Sequence, residues 1–172
     1  MKRIAQFEKV SFETFSKALE NIIAPELWGE SARTLYDNIK LPSRATSGSA
    51  GYDFVTPIPV VLNPRETAVI PTGIRVKIED GWWLGLYPRS GLGFKYRCQL
   101  DNTVGVIDSD YYYADNEGHI MAKITNDGKG HKMLVLDAGD RFMQGIFMQY
   151  GITVDDDTDG VRSGGFGSTG KA

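Results

Sequence analysis

Three short stretches of this chain hold side chains able to work on a phosphorylated substrate. Pro88-Arg89-Ser90-Gly91 sets a guanidinium, a hydroxyl and a glycine N–H in consecutive positions. Such a turn can cradle phosphate oxygens, although by itself it also fits an ordinary turn with a surface arginine. Gly105-Val106-Ile107-Asp108-Ser109-Asp110-Tyr111 follows an apolar strand with two carboxylates and an aromatic ring. Carboxylates so placed suit the activation of a water or contact with magnesium. Gly139-Asp140-Arg141 with Gln144 reads by itself as a turn entering a strand. Near the C-terminus, Arg162 and Phe166 stand among glycines and hydroxyls, an anion contact and a stacking ring on a weakly self-burying segment.

Other chemistries are excluded by what the chain lacks. His119 and His131 are its two histidines and Cys98 its one cysteine, so there is neither an internal disulfide nor a Cys/His zinc cluster. Both histidines neighbour turn residues and are expected on the surface, which leaves a Ser-His-Asp triad without support. No GxxxxGK[ST] loop and no GxGxxG before a helix occurs. The net charge of −3 and the pI near 5.4 argue against a chain held on nucleic acid by phosphate neutralisation. The apolar runs around 59–62 and 82–87 are too short to span a bilayer, and charges interrupt the N-terminus. A soluble protein of a reducing compartment is expected.

The elements that must carry these residues are mostly strands. At 172 residues the chain suits one domain with a sizeable core, and 41% apolar with 24% charged residues is ordinary for a globular protein. Twenty glycines exceed the usual share of about 7%, and aromatic residues reach 11%. That texture suits an all-β fold. Strands are expected at Ile4–Val10, Tyr52–Val55, Val60–Leu62, Thr67–Pro71, Arg75–Ile78, Trp82–Tyr87, Cys98–Asn102, Ile120–Thr125, Met133–Leu136 and Arg141–Tyr150. Gly, Pro, Asn and Asp clusters separate most of them, with gaps too short for crossover helices. A jelly roll of antiparallel sheets is the natural architecture. Phe12, Phe15, Leu19, Ile22 and Ile23, then Leu27, Trp28, Ala32, Leu35, Tyr36 and Ile39, fall at helical spacing around Pro25. They predict a helical insert over about 12–38, packed on the outside and taking no part in catalysis. One β domain over 1–153 and a flexible arm over 154–172 complete the organisation.

Taken in order, five segments resemble the five motifs of the trimeric dUTPase family. They are Gly48-Ser49-Ala50-Gly51-Tyr52-Asp53; Pro88-Arg89-Ser90-Gly91-Leu92-Gly93; the run from Asn102 to Tyr111; Gly139-Asp140-Arg141-Phe142-Met143-Gln144; and the run from Gly164 to Gly170. The resemblance spans about Lys40 to Gly170. It implies a jelly-roll-like β-clip subunit and a homotrimer whose sites each draw on more than one chain. It also implies magnesium and the cytoplasmic hydrolysis of dUTP to dUMP and pyrophosphate, which removes dUTP and supplies dUMP for thymidylate synthesis. Residue by residue, Asp108 resembles the carboxylate that activates water, and Tyr111 the ring under the deoxyribose that excludes a 2′-hydroxyl. Asn102, with the backbone of Gly105, Val106 and Ile107 and near Met121, resembles the uracil reader. Arg89, Ser90, Gly91 and Gln144 match the phosphate binders. Asp53 matches the carboxylate that meets magnesium through water. Arg162, Phe166, Gly167, Ser168 and Thr169 match the arm that closes over the nucleotide.

Two departures accompany the resemblance. Residues 112–116 intervene after Tyr111, similar to an insertion in some Gram-positive and phage relatives, and Arg162 lies one residue nearer its Phe than in many relatives. Two rivals follow. The related dCTP deaminases would place a glutamate where this chain has Lys123, and a lysine cannot be that base. A regulatory binding protein on the same fold would use residues 12–38 and 112–116 to contact a protein partner. A nucleic-acid or membrane partner is not expected.

Overall fold

A computed structural model describes residues 2–22, 31–160, 162 and 164. Its first elements are strand β1 (Ala5–Lys9), helices α1 (Phe12–Glu20) and α2 (Ala32–Asp37), and strands β2 (Ser43–Arg44) and β3 (Tyr52–Val55). Strands β4 (Val60–Leu62), β5 (Thr67–Pro71), β6 (Ile74–Ile78) and β7 (Trp82–Pro88) follow, then helix α3 (Ser90–Tyr96). The remainder is β8 (Cys98–Leu100), β9 (Gly105–Ile107), a 3-10 turn (Ser109–Tyr113), β10 (Met121–Asn126), β11 (Leu134–Leu136) and β12 (Arg141–Gln149).

Every recorded strand pairing is antiparallel. The largest sheet runs in the order β2-β3-β12-β7-β9; the smaller ones are β5-β10-β8, β1-β6 and β4-β11. The all-β, jelly-roll-like expectation holds. Alternation fixes the register where one face is buried. Val60, Val61 and Leu62 read buried, exposed, buried, and they lie opposite Leu136, Val135 and Leu134 with the same pattern. In the middle of the large sheet, Leu84, Leu86, Phe54, Phe142 and Met143 are buried. Gly145 lets these layers close, since a Cβ there would stand 2.8 Å from Leu84 Cδ1. Each large apolar side chain so buried contributes on the order of 1.5–3 kcal/mol. Truncation of Leu84 to Ala is the kind of single change that costs about 2–5 kcal/mol.

The helical insert packs on its own chain. Ser11 caps α1, its side-chain oxygen accepting the Thr14 N–H at 3.1 Å, and the charges of Glu13 and Lys17 suit the helix dipole. Phe15 and Leu19 of α1 and Leu35 of α2 are buried in the common core, and Tyr36 packs its ring against Phe12 and Phe15. Gly73, at φ +69°, passes so close that a Cβ would clash with Ile39 and press on Phe15. Leu27 and Trp28 lie outside the described residues. Among the described residues no helix is long and apolar enough to cross a membrane.

Three expectations need correction. The segment Pro88–Gly91 is not a free turn: it leads into α3, which begins at Ser90 and ends where Arg97 turns left-handed at φ +50°. The strand β2 was unexpected because two residues carry no alternation. His119 is not on the surface; it is 1% exposed, and its Nε2 accepts the Gly73 N–H at 2.9 Å. Burial, partly offset by the charge of Glu117, pulls its pKa down to about 4, so the imidazole is neutral.

Candidate active site

The expected site residues fall into two groups set apart along β7. The first group follows the β8–β9 hairpin. Asp101 N–H donates to the Lys123 carbonyl, which carries the β8–β10 register on toward Met121, the first residue of β10. Asn102 sits exposed at the bend, where Thr103 takes a left-handed φ of +66°. Gly105, Val106 and Ile107 then form β9 on the edge of the large sheet, opposite Leu86, Gly85 and Leu84. A Cβ on Gly105 would stand 3.0 Å from Leu86.

At the end of β9 the chain turns sharply. Asp108 keeps an extended backbone, its carbonyl accepts the Tyr111 N–H at 3.2 Å, and its carboxylate is about half exposed. Tyr111 is the opposite case: 2% exposed, with its hydroxyl donating to the His119 carbonyl at 2.8 Å and accepting from Asn116 Nδ2 at 2.8 Å. Burial raises its pKa, offset in part by Asn116 and by the charge of Arg162. A neutral, fixed aromatic ring therefore lies three residues beyond a wet carboxylate. Arg162 reaches both. Its guanidinium is 3.5 Å from Asp108, 3.6 Å from Asp110 and 5.4 Å from the Tyr111 ring centroid. Among the described residues its buried Nε has no hydrogen-bond partner. Phe166, Gly167, Ser168 and Thr169 lie outside the described residues.

The second group gathers where β3, β12 and β7 run side by side. Gln144 of β12 faces Asp53 of β3 on one flank and Tyr87 of β7 on the other. Arg89 follows β7 and holds Asp53 Oδ1 at 3.3 Å through Nε. Arg141 takes the other carboxylate oxygen at 3.1 Å. Gly51 admits the Gln144 amide, since a Cβ would stand 2.6 Å from its Oε1. Ser90 and Gly91 open α3, where the first helical N–H groups have no intrahelical acceptor. Two guanidiniums, an amide, a hydroxyl and such backbone donors are groups chemically able to hold an anion.

The register shows how far apart the groups stand. One step past the Leu84–Ile107 pair brings Asp108 beside Trp83, and the Ser109 hydroxyl indeed meets Asp80 at 3.4 Å. Arg89 is six residues along the same strand, roughly 20 Å at about 3.3 Å per residue. Local motif reading missed Arg141, because only the β3–β12 pairing brings it to Asp53. It also missed Glu117 and the burial of His119, whose contacts come from remote segments.

Lys123, the position that separates the deaminase reading, is bound to Asp101 at 3.0 Å, and Thr125 donates to the same carboxylate. Burial would raise the pKa of Asp101, but the hydrogen bonds from Thr125 and Lys123 and the lysine's charge bring it below the usual range. Among the described residues no cluster of three or more His, Cys, Asp or Glu could by itself hold a metal ion.

The chain is similar to known proteins over most of its length. The dUTPase family model matches residues 37–170. The deoxyuridine 5'-triphosphate nucleotidohydrolase of Lactococcus lactis subsp. lactis is 40% identical over 142 residues, which cover 80% of this chain and 93% of that protein. The crystal structure of dUTPase from Streptococcus mutans superimposes with a TM-score of 0.61 at 32% identity, covering 86% of this chain and 97% of that one. A mutant dUTPase from phage phi11 of S. aureus, described with a structural Mg(II) ion, shares the fold at 19% identity. Its TM-score is 0.62, and the match covers 92% of this chain and 98% of that chain.

Proposed function

Because the chain belongs to the dUTPase family, we propose that its two residue groups are the halves of one dUTP-hydrolysing site, brought together between neighbouring chains of a homotrimer. The chain is a dUTP nucleotidohydrolase: water and dUTP give dUMP and pyrophosphate. The observation that carries the site assignment is the exposed Asp108 set beside the buried, fixed Tyr111. In this reading Asp108 orients a water and accepts its proton as the water oxygen bonds to the phosphorus next to the nucleoside. The bond from that phosphorus to the bridging oxygen breaks, and pyrophosphate takes the electron pair. Tyr111 supports the deoxyribose and leaves no space for a 2′-hydroxyl. Asn102, the backbone of Gly105, Val106 and Ile107, and Met121 read the uracil edge.

The phosphate half comes from the adjacent chain. Arg89, Ser90, Gly91 and Gln144 hold the phosphate oxygens and stabilise the charge that builds on the leaving group. The roughly 20 Å between Asp108 and Arg89 within one chain supports a shared site, because a triphosphate cannot bridge it. A closed heterologous ring supplies each site from two neighbours. Residues from 154 onward form the arm: Arg162 already lies against Asp108 and Tyr111, and Phe166, Gly167, Ser168 and Thr169 would seal the nucleotide from water.

Magnesium fits this donor set as a guest of the substrate. The ion would bind through the substrate's phosphates, and Asp53, which now pairs with Arg89 and Arg141, would be the carboxylate to meet its waters. When bound, the ion neutralises triphosphate charge. A protein partner for the helical insert is not favoured, since Phe15, Leu19 and Leu35 are already buried against the chain itself.

Pyrophosphate release tests the reading. The protein should turn over dUTP with one pyrophosphate and one dUMP per event. Release of ammonia from dCTP, with dUTP untouched, would refute it.

A further inference from the structure

The N-terminal helices are fastened to Glu117, the residue that directly follows the 112–116 addition. Glu117 accepts the Ser11 N–H at 2.8 Å, the Ser11 hydroxyl at 2.5 Å and the Thr14 hydroxyl at 2.6 Å. Ser11 and Thr14 are the cap and first turn of α1, 106 and 103 residues away in sequence. Arg75 of β6 stands 4.0 Å from the same carboxylate, pairs with Glu8 of β1 at 3.0 Å and lies 4.4 Å from the Tyr112 ring centroid. The Tyr112 hydroxyl donates to Glu8 at 2.8 Å. Burial would raise the pKa of Glu117, but the Ser11 and Thr14 donors and the charge of Arg75 outweigh it and hold the group ionised.

The neighbours of Glu117 are the residues that fix Tyr111. Asn116 and His119 hold the Tyr111 hydroxyl from either side. Gly118, at φ +68°, lies so close that a Cβ would stand 2.7 Å from the Tyr111 carbonyl oxygen. Glu117 itself is left-handed at φ +59°, a conformation that residues with a Cβ keep only when their surroundings impose it. Here the imposing contacts are those of α1.

We propose that Glu117 is a positioning residue for the sugar platform, fastening the 111–119 loop to the start of α1 so that the helical insert sets how firmly the Tyr111 ring excludes a 2′-hydroxyl. The inference rests on the reading of Tyr111 as the surface under the deoxyribose. Steric exclusion requires a wall that cannot retreat, and a loop freed from α1 yields to a ribose while still accepting deoxyribose. The insert then belongs to substrate selection, contrary to the expectation that it takes no part in catalysis.

The measurement is the ratio of kcat/KM for dUTP to that for UTP. Glu117→Asn tolerates the left-handed backbone but is too short for the full set of contacts. Ser11→Ala with Thr14→Val removes the donors from the other side. Each should lower the ratio by about 5- to 50-fold, the range for coupled neighbours, and combining them should add little. Glu117→Gln, which retains an acceptor oxygen, should recover part of the ratio. Ratios within about twofold of the parent in both variants, whatever the change in melting temperature, would overturn the inference. Tyr111→Ile separates the two levels. If it lowers the ratio and the Glu117 and Ser11/Thr14 variants do not, the Glu117 role alone fails. If Tyr111→Ile leaves the ratio unchanged, the platform reading fails and the inference falls with it.

Discussion

If each site takes its water-activating half from one chain and its phosphate half from the next, two crippled variants should repair each other. Asp108→Asn damages the hairpin half and Arg89→Ala the phosphate half. Alone, Asp108→Asn should lose about 10²–10⁴ in kcat, as for a general base. Arg89→Ala should lose about 10²–10³, as for one donor to developing charge. Asp108 and Arg89 stand roughly 20 Å apart in backbone terms along β7, which favours a site that draws them from different chains. In a randomly mixed ring made one to one, a site is intact when its hairpin half comes from the Arg89→Ala chain and its phosphate half from the Asp108→Asn chain. Each choice has even odds, so about a quarter of sites recover, far above a background near 1%. The assay is pyrophosphate release at saturating dUTP after co-refolding, with subunit mixing confirmed by mass spectrometry of differently tagged chains. A mixed assembly no more active than the mean of its parents would refute the shared site.

Three further outcomes follow. Asp108→Asn should bind a non-hydrolysable dUTP analogue within a few-fold of the parent by calorimetry, because the lost proton acceptor is not needed for binding; collapse of affinity would reject its role as base. UTP and dCTP should each be poorer than dUTP in kcat/KM by about 10²-fold or more, since one meets the Tyr111 wall and the other leaves the Asn102 hairpin mispaired; comparable values for all three would sink the pocket assignment. The neutral His119 should make the fold acid-sensitive. Its folded pKa of about 4 lies below the unfolded 6.5, so its contribution is present above 6.5 and is lost as the pH falls through 4. Urea unfolding should show about 2 kcal/mol less stability at pH 5 than at pH 7 from this group. His119→Gln, which still offers an acceptor to Gly73, should flatten that dependence, and an unchanged slope would count against it.

Strands were legible where one face is buried and the other wet. Val60–Leu62, Thr67–Pro71 and Tyr52–Val55 keep their expected bounds. Helix α3 was hidden because Gly91 and Gly93 lower its helical preference and none of its side chains is buried, so no apolar stripe marks it. His119 was misread because Gly118 signals a turn, while the segments that cover it, Phe15 and Gly73 among them, are remote in sequence. The same division holds for the site. Asp108 and Tyr111 sit in one contiguous motif and could be named from it. That Asp53 answers to Arg141 as well as Arg89, or that Asp108 and Arg89 occupy opposite ends of β7, depends on pairing register, which no local stretch encodes.

The grip of Asp53 on both arginines gives the resting phosphate half an internal counter-ion. Its guanidiniums are not bare charges awaiting a ligand; a carboxylate already holds both. If this half holds the phosphates as proposed, substrate capture is an exchange of partners, with the incoming oxygens displacing Asp53 from Arg89. On the same reading the departure of pyrophosphate is the reverse exchange, in which the carboxylate returns to the two partly exposed guanidiniums. A phosphate site with such a counter-ion would give up some ground-state affinity for its anions and gain a lower barrier to clearing them, favouring turnover over retention.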